Sequence, residues 1–140
     1  VNDGVVQAPT SVGAFPYQGE SVDIETYSTL ALRTAPRGYT WTDEITHASL
    51  GIGGEAGEVL DHVKKAAFNN RSLDHDHLVA EVGDLMWYLN LLVASLGTTW
   101  GHVLSVNIAK LEARYPDLKF DAEHSLNRDL AAEKAAMESV

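Results

Sequence analysis

Two pairs of carboxylates have the clearest potential for chemistry, Glu55 with Glu58 and Glu81 with Asp84. Each pair has the three-residue spacing that places both side chains on one face of a helix, and each lies in a segment with helical apolar periodicity. If two such helices pack together, four carboxylates meet, and they repel each other by on the order of a few kcal/mol per pair. An oxygen-binding divalent cation would relieve that repulsion, so the sequence predicts a Mg²⁺ or Mn²⁺ site.

A second set of polar residues follows later in the chain. Asn107, Lys110 and Arg114 recur at steps of three and four residues and share one face of a predicted helix. Arg offers phosphate a bidentate fork and Lys a point charge. The spacing fits a phosphate-binding surface, but by itself it favours an ordinary solvated helix face.

Three further sets of acidic or histidine residues are expected to have structural rather than chemical roles. The segment Asp74–His77 has the composition of a metal site, but it lies at a loop-to-helix junction, where Asp normally caps the helix. Asp61 is expected to be a solvated acidic residue. His47 lies on the face of Glu55 and is expected to be a buried structural histidine.

The helices that would position these groups are predicted from apolar periodicity and from stop signals. The first covers about 22–35 and ends before Pro36, and the second runs from a Thr40 or Thr42 cap to about Phe68. The third covers about 76–96 with Gly97 after its end, and the fourth runs from a Thr98 or Thr99 cap to before Pro116. The tail after Asp121 is predicted to be helical, and strands are not expected.

The third helix is apolar on almost every side. Leu85, Leu89 and Val93 form one face, and Trp87 and Leu91 lie on the other. Such a helix is normally buried all round, and one chain of four to five short helices has too little material to cover it. The sequence therefore predicts a homo-oligomer, a dimer at least, with a tetramer also compatible.

Four glycines surround Glu55 in the second helix: Gly51, Gly53, Gly54 and Gly57. Each costs about 1 kcal/mol relative to Ala inside a helix. One interpretation is that the helix begins only near Glu55. The other is that bare backbone lets a second helix or a flat ligand approach closely. Both interpretations remain open at this point.

Composition excludes several classes of function. The net charge is −10 and the first thirty-two residues contain no Lys or Arg, which argues against a nucleic-acid polymer or a polybasic membrane contact as partner. The absence of cysteine excludes disulfides and Cys-type zinc sites. No uninterrupted apolar run reaches about 18 residues and no basic leader is present, so we expect a cytoplasmic protein without a membrane span. Because the chain begins with Val, its start is expected to be altered or processed.

Three segments together resemble the MazG-like all-α nucleoside triphosphate pyrophosphohydrolases of the small single-domain phage and bacterial type. They are GIGGEAGEVLDHVKK from Gly51, EVGDLMWYL from Glu81 and NIAKLEARYPDLKF from Asn107. The signature Glu-x-x-Glu, a gap, then Glu-x-x-Asp is matched at all four positions. That signature alone is weak, and the block from Asn107 makes the resemblance more specific. The resemblance covers 40–129.

The resemblance implies a Mg²⁺-dependent enzyme, with Mn²⁺ as an alternative, that cleaves the α–β phosphoanhydride bond of a (deoxy)nucleoside triphosphate. The products would be a monophosphate and pyrophosphate, in the control of nucleotide pools. Metal-binding and catalytic positions would be Glu55, Glu58, Glu81 and Asp84, and substrate-binding positions would be Lys65, Asn107, Lys110, Arg114 and Tyr115. Trp87 is a further candidate for the nucleoside pocket, and the Gly-rich turn favours a purine. Residues 22–140 would form the single catalytic domain and 1–21 a loosely ordered arm.

Two alternatives belong to other classes. A carboxylate-bridged di-iron bundle needs Glu-x-x-His on two helices, and only Glu44–His47 has that form. A non-catalytic helical interaction module would leave the acidic residues as solvated faces.

Overall fold

The computed structural model describes residues 21–69 and 71–140, and these residues form helices and loops without any strand. Six α-helices and one 3₁₀ turn follow each other along this part of the chain. They are α1 (Ile24–Ala31), the 3₁₀ turn (Leu32–Thr34), α2 (Trp41–Phe68), α3 (His75–Ser95), α4 (Trp100–Arg114), α5 (Ala122–Leu126) and α6 (Leu130–Glu138). The predicted all-α class is confirmed. The predicted arm, except Ser21, lies outside the described residues.

Most helix ends follow from local capping chemistry. The Thr40 hydroxyl accepts from the Asp43 backbone N–H at 3.2 Å, and the Asp43 carboxylate accepts from the Thr40 N–H at 3.0 Å, so a capping box starts α2. The Thr99 hydroxyl caps α4 by accepting from the His102 backbone N–H, and Gly97 takes the left-handed conformation after α3 with φ of 67°. The first helix is shorter than predicted because its last turn tightens to 3₁₀, and Ala35 is extended before Pro36.

The longest helices, α2 and α3, form an antiparallel pair. At one end the Trp41 indole N–H donates to the Ser95 carbonyl at 2.8 Å, and at the other His62 of α2 lies against His77 of α3. A loop of about six residues between Phe68 and His75 is short enough to require neighbouring antiparallel helices. This pair places the middle of α2 opposite the middle of α3.

A polar residue joins three helices at the centre of the fold. Asn90 of α3 is 1 % exposed; its amide donates to the Ser28 carbonyl of α1 at 3.2 Å and accepts from the Trp100 indole of α4 at 2.8 Å. Both polar ends of the side chain are therefore satisfied, as burial requires. These two hydrogen bonds of Asn90 hold α1 and α4 against the same side of α3.

The apolar core within one chain is small. Among the described residues the buried hydrophobic ones are Ala48, Leu91, Val93 and Trp100. Other apolar residues of the long helices stay accessible: Val63 of α2 is 44 % exposed and Val82 of α3 is 51 % exposed. Small cores and uncovered apolar helix faces are typical of chains that are completed by a partner.

Among the described helices, α3 alone is long and apolar enough to span a bilayer by length and composition, a feature that a search for uninterrupted apolar runs overlooks. Glu81 and Asp84 lie within it, and carboxylates are costly inside a hydrocarbon core. Its packing against α2 accounts for part of its apolar character.

Candidate metal and nucleotide site

Three of the four predicted carboxylates converge between α2 and α3. Glu55, Glu81 and Asp84 can each offer one oxygen so that all three lie within 4.8 Å of one another. The convergence follows from the antiparallel pairing, because Glu55 projects from α2 while Glu81 and Asp84 project from consecutive turns of one face of α3. Asp84 and Glu55 open onto a cavity of about 300 Å³ that Trp87 and Tyr88 also line.

The carboxylates repel one another as the sequence predicted. Burial raises the pKa of Glu55 above its usual value, and the charges of Asp84 and Glu81 and a hydrogen bond with Glu81 raise it further. The charge of Glu58 acts in the same direction, but its exposed carboxylate is not one of the three that meet. An all-oxygen set held together against its own repulsion fits a hard divalent cation such as Mg²⁺ or Mn²⁺.

Tyr88 and Trp87 form an aromatic wall beside the carboxylates. Their ring centroids are 4.9 Å apart with the planes nearly perpendicular, and the Trp87 indole N–H donates to the Thr34 hydroxyl at 2.7 Å. This hydrogen bond ties the wall to the 3₁₀ turn after α1, so the indole has a fixed orientation.

Gly51 explains how Tyr88 reaches its position. A Cβ at Gly51 would lie 2.2 Å from the Tyr88 ring, so only glycine permits this contact between α2 and α3. The interpretation that the helix begins near Glu55 is wrong, because α2 runs without a break from Trp41. The close approach is made by a ring of the same chain, whereas Gly53, a little further along, has open space at its Cβ position.

His47 packs into the same aromatic group from α2. Its ring meets those of Tyr39, Trp87 and Tyr88 edge-on at centroid distances of 5.9, 6.2 and 5.5 Å. Its Nδ1 atom is buried and has no hydrogen-bond partner among the described residues. The expected structural histidine is therefore found half-buried among aromatic rings, close to the cavity.

The basic candidate of α2, Lys65, is engaged in an ion pair. Lys65 pairs with Asp61, and Lys64 pairs with the same carboxylate at 2.6 Å. These contacts lower the pKa of Asp61 to about 2. Asp61 is thus an ion-paired residue rather than a merely solvated one. The phosphate role of Lys65 stays a prediction.

The candidates of α4 lie in a different part of the chain. Arg114 and Arg128 together bind Glu133 of α6 through four charge-assisted hydrogen bonds of 2.6–3.0 Å, and Glu133 is 3 % exposed. The guanidinium of Arg114 also lies 5.8 Å from the centre of the Tyr115 ring. In the described part of the chain, α4 packs mainly against α6, and no ion pair or hydrogen bond joins Arg114 to the carboxylate cluster.

Asn107 and Lys110 lie on the same helix, Asn107 exposed and Lys110 half-buried. In the described part of the chain no hydrogen bond or ion pair joins either side chain to Glu55, Glu81 or Asp84. Their phosphate roles and those of Arg114 and Tyr115 stay predictions.

His77 lies next to the cluster, although the sequence interpretation assigned its segment, Asp74–His77, to helix capping. Asp74 caps α3 as predicted, accepting from the His77 backbone N–H at 3.1 Å. The His77 side chain, however, turns along α3, and its Nε2 lies 3.3 Å from Oε1 of Glu81. The signal was present in the four-residue spacing of His77 and Glu81, which places them on one helix face.

Comparison with known proteins identifies relatives of this part of the chain. The profile of the MazG nucleotide pyrophosphohydrolase domain matches residues 45–119, a range that includes all four signature carboxylates. The "Gene 37 protein" of Mycobacterium phage L5 is 34 % identical over 74 residues, which cover 50 % of this chain and 65 % of the phage protein. The match thus spans a little less than two thirds of that relative's length. No solved structure matches the chain. On the strength of the domain match over more than half its length, the chain belongs to the MazG nucleotide pyrophosphohydrolase family.

Proposed function

We propose that this protein hydrolyses (deoxy)nucleoside triphosphates to monophosphates and pyrophosphate, with Mg²⁺ or Mn²⁺ bound by the carboxylates of α2 and α3. The observation that carries the proposal is the meeting of Glu55, Glu81 and Asp84. Two of these carboxylates, Glu55 and Asp84, line a cavity together with the aromatic wall. A divalent ion at such a site neutralises the phosphate oxygens and lowers the pKa of a bound water.

The residues of the chain would divide the remaining work. Glu81 and Asp84 would hold the cation from α3 and Glu55 would hold it from α2. Glu58, one turn further along α2, remains a candidate metal ligand. Trp87 and Tyr88 line the same cavity, so we place the base against these aromatic side chains. A purine has the larger stacking area, which makes dGTP and GTP the first substrates to test.

The basic residues would come from another copy of the chain. The uncovered apolar faces of α2, α3 and α4 support a homo-oligomer; among them Leu60 is 70 % exposed and Leu104 is 47 % exposed. In such an oligomer, α4 of one copy lies near the carboxylates of another, and Asn107 and Lys110 reach the triphosphate. The substrate is then bound between subunits, and nucleotide-pool control is the cellular role.

Product analysis on the eight canonical (d)NTPs tests the reaction. Wild type with Mg²⁺ is expected to release pyrophosphate and not orthophosphate, since the proposed cleavage is between the α- and β-phosphates. Glu55→Gln and Asp84→Asn keep the shape of the side chains and remove their charge, so each should lower the rate by about 100-fold or more.

Asp76→Asn is the matched control, because its carboxylate lies on α3 and is fully exposed outside the cluster. It should keep the wild-type rate. Near-wild-type hydrolysis by both Glu55→Gln and Asp84→Asn contradicts the metal site, and release of orthophosphate by wild type contradicts the bond that is cleaved.

A further inference from the structure

Beside the carboxylates, a series of contacts leads from the start of α3 to Glu81. The Asp74 backbone N–H donates to Nε2 of His62 at 3.0 Å. The rings of His62 and His77 have centroids 4.7 Å apart. His77 Nε2 in turn lies 3.3 Å from Oε1 of Glu81. The series therefore crosses from α3 to α2 and back, and it ends on a carboxylate of the cluster.

The hydrogen bond from the Asp74 backbone N–H shows which ring nitrogen of His62 is the acceptor. An Nε2 atom that accepts an N–H carries no hydrogen, so this ring is neutral with its hydrogen on Nδ1. A neutral imidazole packs against a second imidazole without charge repulsion. His62 is half-buried, and it forms a wall that limits where the His77 ring can turn.

The last contact restricts the carboxylate. The side chain of Glu81 is only 13 % exposed, so few water molecules compete for its oxygens. A nitrogen of His77 close to Oε1 limits rotation of the carboxylate about its last bond. The contact with His77 therefore favours one direction for the Glu81 oxygens.

We propose that His77 is a positioning residue that orients Glu81 for the binding of a divalent cation, with the His62 ring holding it in place. The inference rests on the proposed metal-dependent function, but it concerns cation binding before any nucleotide is present. Partners that orient a metal ligand change metal affinity or activity by about 10–100-fold when they are removed. His77 is 46 % exposed, so its replacement opens no cavity in the core.

The direct test is Mn²⁺ binding to the full chain without nucleotide, with free Mn²⁺ measured by electron paramagnetic resonance. His77→Phe keeps a ring against His62 and removes the nitrogen, so it should weaken Mn²⁺ binding by about 10-fold or more. His77→Gln restores a nitrogen donor at similar reach and should recover most of the affinity. His102→Gln, an exposed histidine on α4, is the control and should match wild type.

Hydrolysis assays then separate this inference from the proposed function. His77→Phe should need about 10-fold more Mn²⁺ for half-activation, with the KM for the nucleotide and the kcat at saturating Mn²⁺ unchanged. Equal Mn²⁺ affinity of wild type and His77→Phe overturns the positioning role, even if the melting temperature falls. If wild type binds Mn²⁺ more tightly than His77→Phe but releases no pyrophosphate, the positioning role stands and the proposed function fails. A wild type that binds no Mn²⁺ overturns both.

Discussion

At the scale of single residues, Gly51 shows why a sequence pattern can be noticed before it is understood. The four glycines around Glu55 indicate that bare backbone matters in this turn, but they do not indicate what approaches it. The partner is the Tyr88 ring, thirty-seven residues later in the chain, and only the pairing of α2 with α3 identifies it. The carboxylates could be predicted because helical spacing is local. The contact of His77 with Glu81 is local in the same sense. The contact of Tyr88 with Gly51 depends on tertiary packing, so it could not be predicted.

Gly51→Ala should destabilise the protein by about 1–3 kcal/mol, because the added Cβ overlaps the Tyr88 ring and forces it out of place. Gly53→Ala is the matched control, since its Cβ enters open space, and it should stabilise α2 by up to about 1 kcal/mol. Urea unfolding of both variants measures the difference. Equal effects of the two substitutions would show that the Tyr88 contact does not require glycine.

At the scale of elements, α6 is attached to α4 by one buried carboxylate. The hydrogen bonds from Arg128 and Arg114, with the charges of both, hold the pKa of Glu133 well below its usual range. The sequence predicted a helical tail, and the family resemblance made Arg114 a candidate for phosphate binding. The sequence could not predict this attachment, because nothing in the spacing of Arg114, Arg128 and Glu133 is periodic. Their contact arises only when the chain turns at Pro116 and α6 folds back.

The attachment predicts how stability depends on pH. A carboxyl whose pKa is lower in the folded state stabilises the fold fully above its usual value of 4.5, and this contribution is lost as the pH falls below that value. Glu133→Gln removes the charge and should lower the melting temperature at pH 7. The difference from wild type should shrink as the pH is lowered from 5 to 3.

Glu138→Gln is the control for this experiment, because Glu138 lies on α6 in an exposed pair with Lys134. It should leave the melting temperature almost unchanged at every pH. A constant difference between wild type and Glu133→Gln from pH 7 to pH 3 would contradict the role of the ionised carboxylate.

At the scale of the whole molecule, a single chain leaves several apolar helix faces exposed to solvent. The sequence predicts an oligomer from the all-round apolar character of α3, and the small core of the described residues supports that prediction. Which faces meet could not be predicted, because apolar periodicity identifies a face and not its partner. One candidate for the subunit interface lies on α2, where Leu60 and Val63 are exposed at neighbouring positions of one helix face.

Sedimentation equilibrium should give a mass of two or four times the 15.2 kDa of one chain. Leu60→Glu should shift the protein toward monomer, because each buried leucine contributes about 1.5–3 kcal/mol and a buried unpaired charge opposes association. Leu60→Met keeps the volume and apolar character and should retain the wild-type mass. A wild-type monomer, or an unchanged mass for Leu60→Glu, would contradict an interface at this position.

The ion pairs of the basic residues have a consequence for the rate at which a substrate arrives. Lys64, Lys65, Arg114, Arg128 and Lys134 are paired with carboxylates of the same chain, and the net charge is −10. A free triphosphate therefore diffuses toward a surface of its own sign, and long-range attraction does not assist the encounter. Added salt screens this repulsion, so encounters with uncomplexed nucleotide become faster as ionic strength rises. A nucleotide that already carries its divalent ion meets a lower barrier.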